Sequence, residues 1–217
     1  MKISNLEHID QESISNIIFD WGGVITNIDY QATVQAFENL GYISFHERFS
    51  QIHGDDLFQR LEKGLAEPEE LYKIISDDIG KSVSNHSFKK AWNAMILDTP
   101  PVRIKILKKL RNKYKIFLLS NTNTLHVNYA AKRFKNEHQM NFPSLFHKVY
   151  YSYEIGMRKP DVEIFEYVLT DSKLNADETL FIDDTDLNIE SADSTGMISL
   201  HLNGSYTMEK NFRKWVD

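Results

Sequence analysis

The stretch Ile17-Ile18-Phe19-Asp20-Trp21-Gly22-Gly23-Val24 joins an apolar run to an aspartate and a pair of glycines. Large apolar residues that stop abruptly at polar ones are typical of a short strand buried on both faces of a sheet. Two other runs have the same form: Ile116 to Leu119 precedes Ser120, and Leu180 to Ile182 precedes Asp183. We therefore expect strands that end in polar side chains.

Helical patterns alternate with these runs. A weaker apolar run covers Val149 to Tyr151, and another, Met197 to Leu202, follows a glycine. Amphipathic spacing predicts helices over residues 101–113, 123–136, 161–171 and 186–195, and a last helix over 207–216. Strands that alternate with helices predict an α/β fold with a doubly wound, Rossmann-like parallel sheet.

Residues 29–98 break this alternation. They contain no convincing strand and show helical stretches at 30–40, 55–63, 68–79 and 84–97. Gly54, Gly64 and Gly80 separate these stretches, as residues that end helices do. We interpret the segment as a helical domain inserted after the first strand, with residues 1–28 and 99–217 forming the α/β core.

Composition excludes several classes of protein. The net charge is −6 and the 25 basic residues are scattered, whereas a nucleic-acid binder carries a basic stripe. Without cysteine, a disulfide framework, a thiolate zinc site and a thiol nucleophile are all excluded. Neither a signal core near the N-terminus nor a run of roughly 18 apolar residues is present. We expect a cytoplasmic monomer or homodimer that binds neither nucleic acid nor a membrane.

Polar residues follow the predicted strands, and ligands of doubly wound sheets bind at the carboxyl ends of strands. A carboxylate nucleophile, hydroxyl and amide donors, a lysine and an acidic pair fit phosphoryl transfer, which depends on positioning and charge neutralisation. Because magnesium prefers oxygen ligands, Asp20, Asp184 and the Gly22 carbonyl are candidate ligands, and Asp183 is a direct or water-mediated one. The candidate phosphate-binding residues are Gly22, Gly23, Ser120, Asn121 and Lys159.

These residues stand in four motifs by which the sequence resembles the haloacid dehalogenase (HAD) superfamily, in the subfamily with a helical cap. The motifs occur in the family's order and are Asp20 to Val24, Ser120-Asn121, Gly156 to Pro160, and Asp183-Asp184 with Asn188. The sequence is most similar to bacterial α-D-glucose 1-phosphate phosphatase-like proteins and to the phosphatase domain of epoxide hydrolases.

The resemblance implies a reaction as well as a fold. It implies Mg2+-dependent hydrolysis of a small phosphorylated metabolite, such as a sugar phosphate, through an aspartyl-phosphate on Asp20. Lys159 and Ser120 would be the other catalytic residues, and Asn188 would support the site. The inserted helices would form the cap that closes over the cleft and excludes water.

One position departs from the family pattern. Where the family has a second aspartate that serves as general acid and base, this chain has Gly22. We hypothesise that the glycine favours substrates with an acidic leaving group, such as the anomeric hydroxyl of glucose 1-phosphate. Candidates for a substitute acid are Asp29, His126 and Asp186, although each also fits an ordinary surface role.

Two other functions fit parts of the pattern. In a metal-independent haloacid dehalogenase Asp20 would attack carbon, but the adjacent acids Asp183 and Asp184 count against this function. A weakly catalytic, phosphate-binding regulatory protein is the second alternative, because of Gly22. In the cap, Trp92 is a candidate substrate contact that also fits a packing role. Arg60 and Glu62 are candidate contacts for sugar hydroxyls that also fit a solvated helix face.

Overall fold

The computed structural model describes residues 2–3, 5–7, 9–48, 56–80, 83–202 and 207–216. The described strands are β1 (Lys2–Ile3), β2 (Asn16–Phe19), β3 (Lys115–Ser120), β4 (Lys148–Tyr151), β5 (Thr179–Asp183) and β6 (Ile198–His201). They form one parallel sheet in the order β1-β6-β5-β2-β3-β4. Strand order reverses beside β2, so the ligand-binding edge predicted for this fold lies at the end of β2.

Helices cover the sheet and form the insertion. The insertion contains α1 (Tyr30–Asn39), α2 (Phe45–Arg48), α3 (Asp56–Glu62), α4 (Pro68–Ile79) and α5 (Asn85–Trp92). The remaining helices are α6 (Pro101–Arg111), α7 (Thr124–His138), α8 (Ser152–Ile155), α9 (Val162–Ser172), α10 (Asp186–Ser194) and α11 (Met208–Val216). Within these described helices, none combines the length and the apolar character needed to cross a bilayer.

The strands are apolar because both faces of the sheet are covered. In β2, Ile17 and Phe19 join one hydrophobic cluster and Ile18 joins another, as expected when successive side chains point to opposite faces. Residues of α6, α7 and α11 pack in the first cluster, and residues of α9 and α10 pack in the second. The predicted doubly wound α/β fold is confirmed.

A third cluster lies in the insertion and also includes Leu125 of α7. It is built around stacked aromatic rings, with the centroids of Phe37 and Phe45 4.2 Å apart and Phe88 and Trp92 beside them. The two connections to the core lie side by side, since the Asn27 N–H donates to the Asp98 carbonyl over 2.9 Å. The insertion therefore has its own core and joins the sheet through one paired ribbon.

The elements differ from the sequence prediction in a few places. The two-residue strand β1 was not predicted, so in chain order the insertion follows the second strand and not the first. The helix predicted over 84–97 ends at Trp92, where Asn93 turns the chain by donating to the Lys89 carbonyl. Short α2 and α8 were also missed, and Gly54 lies outside the described residues.

Candidate active site

Three strand ends meet at one edge of the sheet. Phe19 of β2 is in register with Leu118 of β3 and Ile182 of β5, so the residues that follow these three lie side by side. A cleft between the sheet and the insertion opens at this edge. Among its described lining residues are Asp20, Gly22, Ser120, Asn121, Lys159, Asp183, Asp184 and Asn188.

Lys159 lies at the centre of this group. Its ammonium donates to Asp20 Oδ1 over 2.7 Å, to Asp183 Oδ2 over 2.6 Å and to the Leu119 carbonyl over 3.0 Å. Burial lowers the pKa of Lys159, but the Asp183 and Asp20 carboxylates outweigh burial and hold this pKa above its ordinary value. The lysine therefore stays charged and all three of its donors are paired.

Asp183 is fully buried and serves the structure around it. Its Oδ1 accepts hydrogen bonds from the Thr185 N–H over 2.8 Å and from Asn188 Nδ2 over 3.0 Å. Its Oδ2 accepts the Lys159 ammonium. Asp183 thus fixes both the lysine and the first turn of α10.

Asp184 faces the cleft and lies against Gly23. A Cβ atom built on Gly23 would lie 2.0 Å from Asp184 Oδ2, and the φ of Gly23 is +75°. Only glycine accepts both the left-handed backbone and this close approach. The Gly23 N–H donates to the Thr26 carbonyl over 2.9 Å, and Gly23 is not among the residues that line the cleft. Gly23 therefore makes room for Asp184, and its contact with phosphate stays a prediction.

The carboxylates of Asp20, Asp183 and Asp184 fit a metal ion. Each offers an oxygen within 4.8 Å of the others. Burial raises the pKa of Asp20 against the opposing effect of Lys159, and the two other carboxylates raise it further. Burial and Asp183 likewise raise the pKa of Asp184. Three acids around one lysine leave excess negative charge, which a divalent cation with oxygen ligands would neutralise.

Ser120 and Asn121 occupy the end of β3. The Ser120 hydroxyl lies at the cleft, and its contact with the Asn121 carbonyl is long, at 3.5 Å. Asn121 exchanges two hydrogen bonds with the backbone of Lys159, of 2.7 and 2.8 Å. Asn121 therefore sets the position of the lysine loop, while Ser120 presents a hydroxyl to the cleft.

Gly22 lines the cleft, and little space is left beside it for a side chain. A Cβ atom on Gly22 would lie 3.1 Å from Ile28 Cγ1, so an aspartate at this position requires Ile28 to shift. The suggested substitute acids do not fit the role. Asp29 is exposed and caps α1 by accepting from the Gln31 N–H, and Asp186 is exposed on α10 beside His201.

His126 lines the cleft but is a poor acid. Burial lowers its pKa to about 3, so the imidazole is neutral at physiological pH. The ring stacks on Trp92 with centroids 5.2 Å apart, and Nδ1 lies 3.0 Å from Asn93 Oδ1. Trp92 itself is buried in the insertion, which confirms its packing role, and it also lines the cleft, so its contact with substrate stays a prediction.

The cleft also contains residues that the motifs did not indicate. They are Tyr30, Phe58, Gln59 and Met95. Glu62 and Arg158 line it together, whereas Arg60 pairs with Glu70 and is not among the lining residues. From sequence, Glu62 was a candidate substrate contact and Arg158 was part of the Gly156 to Pro160 motif, but their pairing was not predicted, since no local pattern marks them as neighbours.

Comparisons with known proteins agree with this geometry. Residues 14–196 match the haloacid dehalogenase-like hydrolase family. A D-ribitol-5-phosphate phosphatase of Bacteroides thetaiotaomicron is 35% identical over 176 residues, which are 81% of this chain and 85% of that protein. A sesquiterpene phosphatase of Aspergillus oryzae is 28% identical over 208 residues, which are 92% of this chain and 95% of that protein.

A solved structure extends the likeness to three dimensions. The crystal structure of a HAD family enzyme of Bacteroides thetaiotaomicron, in complex with magnesium and inorganic phosphate, superposes with a TM-score of 0.85 at 35% identity. The match covers 92% of this chain and all of that one (100%). The superfamily predicted from the four motifs is confirmed, and the chain belongs to the haloacid dehalogenase-like hydrolases.

Proposed function

We propose that the protein is a magnesium-dependent phosphatase that hydrolyses the phosphate ester of a small sugar or polyol, with Asp20 as the nucleophile. The observation that carries the proposal is the cluster of Asp20, Asp183 and Asp184 around the buried ammonium of Lys159. A nucleophilic carboxylate that faces an anionic substrate needs compensating positive charge, and this cluster can hold it.

Each residue has a part in the reaction. Lys159 holds one Asp20 oxygen in place and offsets the negative charge on the phosphoryl group. Asp20 attacks phosphorus, the bond between phosphorus and the substrate oxygen breaks, and that oxygen takes up a proton as the alcohol leaves. Water then attacks phosphorus, which returns Asp20 as a carboxylate and releases inorganic phosphate and a proton. Ser120 donates its hydroxyl to a phosphoryl oxygen.

Asp20 and Asp184, with the Gly22 carbonyl, would hold magnesium, and Asp183 would act from behind them. When bound, Mg2+ supplies positive charge next to the transferring phosphoryl group. Residues 29–98 form a cap and residues 1–28 and 99–217 the catalytic core, a division that the paired ribbon between Asn27 and Asp98 supports. Closure of the cap keeps water away from the first step.

The substrate class follows from the relatives and from the cleft. The bacterial relative is a ribitol-5-phosphate phosphatase and the fungal relative a sesquiterpene phosphatase. Charged Glu62 and Arg158 line the cleft beside Asp20, which favours a hydroxylated alcohol over a terpene. We therefore propose ribitol 5-phosphate and related sugar phosphates, and keep glucose 1-phosphate as the test of an acidic leaving group.

A panel of phosphate esters with and without Mg2+ tests this function. We expect multiple-turnover phosphate release from ribitol 5-phosphate or a sugar phosphate, lost on chelation. Dehalogenation of a 2-haloacid that survives chelation would instead identify a metal-independent dehalogenase. Stoichiometric binding of phosphate without turnover would identify a regulatory protein. Faster hydrolysis of glucose 1-phosphate than of glucose 6-phosphate is the result that the leaving-group hypothesis requires.

A further inference from the structure

An ion pair between Glu62 and Arg158 joins the cap to the core in the cleft that contains Lys159. Glu62, the last residue of α3, accepts a hydrogen bond at Oε2 from Arg158 Nε over 2.9 Å. Arg158 immediately precedes Lys159, and both members of the pair line the cleft that contains Asp20. The side chain of Arg158 is 8% exposed and that of Glu62 is 27% exposed, so the pair belongs to the cleft and not to the outer surface.

The hydrogen bond between Arg158 and Glu62 uses only some of the polar atoms of the two side chains. Within the described chain a single hydrogen bond joins the two side chains, through Nε and Oε2. The two terminal amino groups of Arg158 and Oε1 of Glu62 are therefore left for other partners. A guanidinium presents several donors in one plane, and a carboxylate presents acceptors beside them. None of these atoms is among the buried polar atoms without a partner in the described chain, so water in the open cleft reaches them. A ligand that displaces this water must replace its hydrogen bonds, which favours a ligand that bonds both side chains.

The surrounding turn holds the pair in place. After α3, Lys63 forms an ion pair of 2.9 Å with Asp161 of the core. Gly64 has a φ of +66°, and a Cβ atom there would lie 2.3 Å from the carbonyl oxygen of Tyr153. This close approach fixes the end of α3 against α8. Glu62 and Arg158 are thus positioned before a substrate arrives.

We propose that Glu62 and Arg158 bind adjacent hydroxyl groups of the alcohol part of the substrate, and so select polyhydroxylated phosphate esters. The carboxylate accepts from these hydroxyls and the guanidinium donates to their oxygens, which matches the mixed character of a vicinal diol. Trp92, Phe58 and Met95 line the same cleft and offer an apolar wall for the carbon chain. This inference rests on the proposed phosphatase function and specifies the group that it recognises.

The pair also places substrate selection at the contact between the cap and the core. Glu62 belongs to the cap and Arg158 to the core, so a diol bonded to both bridges the two parts. An alcohol without hydroxyls leaves the charged groups unpaired in a closed cleft, and sites built for hydroxyl groups reject such analogues strongly. Each lost hydrogen bond to a charged group corresponds to a loss of about 10- to 100-fold in kcat/KM.

The test compares ribitol 5-phosphate with pentyl phosphate, which has a carbon chain of the same length without hydroxyls. The measured quantity is the ratio of kcat/KM for the two esters, in the presence of Mg2+. In Glu62→Gln and in Arg158→Lys we expect this ratio to fall about 10- to 100-fold from its wild-type value. Asp161→Asn is the matched control, because it breaks the neighbouring ion pair between cap and core outside the cleft, and its ratio should equal that of wild type.

Parallel losses on both esters in the Glu62 and Arg158 variants, with an unchanged ratio, would overturn the proposal and assign the pair to holding the cap. Equal wild-type activity on the two esters would also overturn it, while the phosphatase function would stand. Absence of phosphate release by the wild type from every ester is the separate failure of the proposed function. Thermal unfolding of each variant establishes that it is folded before the ratios are compared.

Discussion

At the scale of single residues, the adjacent aspartates Asp183 and Asp184 lie in different surroundings. Asp183 is fully buried and bonded to Lys159, Thr185 and Asn188, while Asp184 borders the cleft. Burial and the Asp183 carboxylate raise the pKa of Asp184, so its negative charge is unfavourable in the absence of a cation. We therefore assign stability to Asp183 and metal binding to Asp184.

Substituting the two aspartates separates these roles. In the Mg2+-free protein at pH 7, Asp184→Asn should raise the free energy of unfolding by about 1 kcal/mol, because it removes a repelled charge. Asp183→Asn should lower it by roughly 2–3 kcal/mol, because Lys159 loses a charged partner in the interior. Denaturant unfolding in a chelator measures both changes, and a magnesium titration should show weakened binding in Asp184→Asn. Destabilisation by Asp184→Asn would contradict the assignment.

Gly23 offers a second test at this scale. Gly23→Ala should cost more stability than the ~1–2 kcal/mol of a left-handed backbone alone, and should weaken magnesium binding, because its Cβ would displace Asp184. Gly80→Ala is the control, since Gly80 has a similar φ of +68° and none of the described residues lies within 4 Å of its Cβ position. Isothermal titration with Mg2+ distinguishes the two variants. Equal magnesium affinity in both would show that the close approach of Gly23 to Asp184 is not needed.

Some residues of the site were predictable from the sequence, and others were not. Asp20, Ser120 and Asp183 each follow an apolar run directly, so strand ends alone bring them together. Glu62 and Arg158 are 96 positions apart on elements without a shared pattern. Their pairing depends on where the cap docks, which no local sequence signal determines.

At the scale of elements, α5 and α7 form a second contact between cap and core, beside that of α3 with α8. Trp92 and Asn93 at the end of α5 contact His126 in the first turn of α7, through a stacked ring and a 3.0 Å polar contact. Asn123 caps α7 by accepting from the His126 N–H over 3.1 Å. The neutral imidazole therefore belongs to the interface between the two parts.

This interface should make stability depend on pH. Because burial lowers the pKa of His126 to about 3, the folded protein binds fewer protons than the unfolded chain between that value and the ordinary histidine pKa of about 6.5. Stability contributed by neutral His126 is present above pH 6.5 and is lost as pH falls. From pH 7 to pH 5 the loss should be about 2 kcal/mol, and His126→Gln should remove that part of the pH dependence. Denaturant unfolding of both proteins at the two pH values measures it, and identical pH dependence would exclude the role of His126.

Elements were predictable where they were long or fully buried. The strands β2, β3 and β5 and the helices of the core carry clear apolar patterns, and all were found. By contrast, β1 contributes two residues that depend on pairing with Ser199 and Leu200 of β6. The short helices α2 and α8 span about one turn each, too little for a periodic pattern.

At the scale of the whole molecule, the protein consists of a sheet with two hydrophobic clusters and a cap with its own cluster. The cleft lies between them, so the core supplies the acids and the lysine while the cap supplies Glu62 and Trp92. The proposed catalytic residues therefore lie in motifs that the sequence reveals, whereas the residues proposed to select the substrate meet only in the three-dimensional structure.

The central claim is that Asp20 forms the covalent intermediate. Acid quenching during turnover of ribitol 5-phosphate with Mg2+, reduction with borohydride and peptide mass spectrometry test this claim directly. An aspartyl-phosphate is reduced to homoserine, so we expect homoserine at position 20 in wild type and phosphate release that is lost in Asp20→Asn. Phosphate release by the wild type without any modification at Asp20, or full turnover by Asp20→Asn, would show that Asp20 is not the nucleophile.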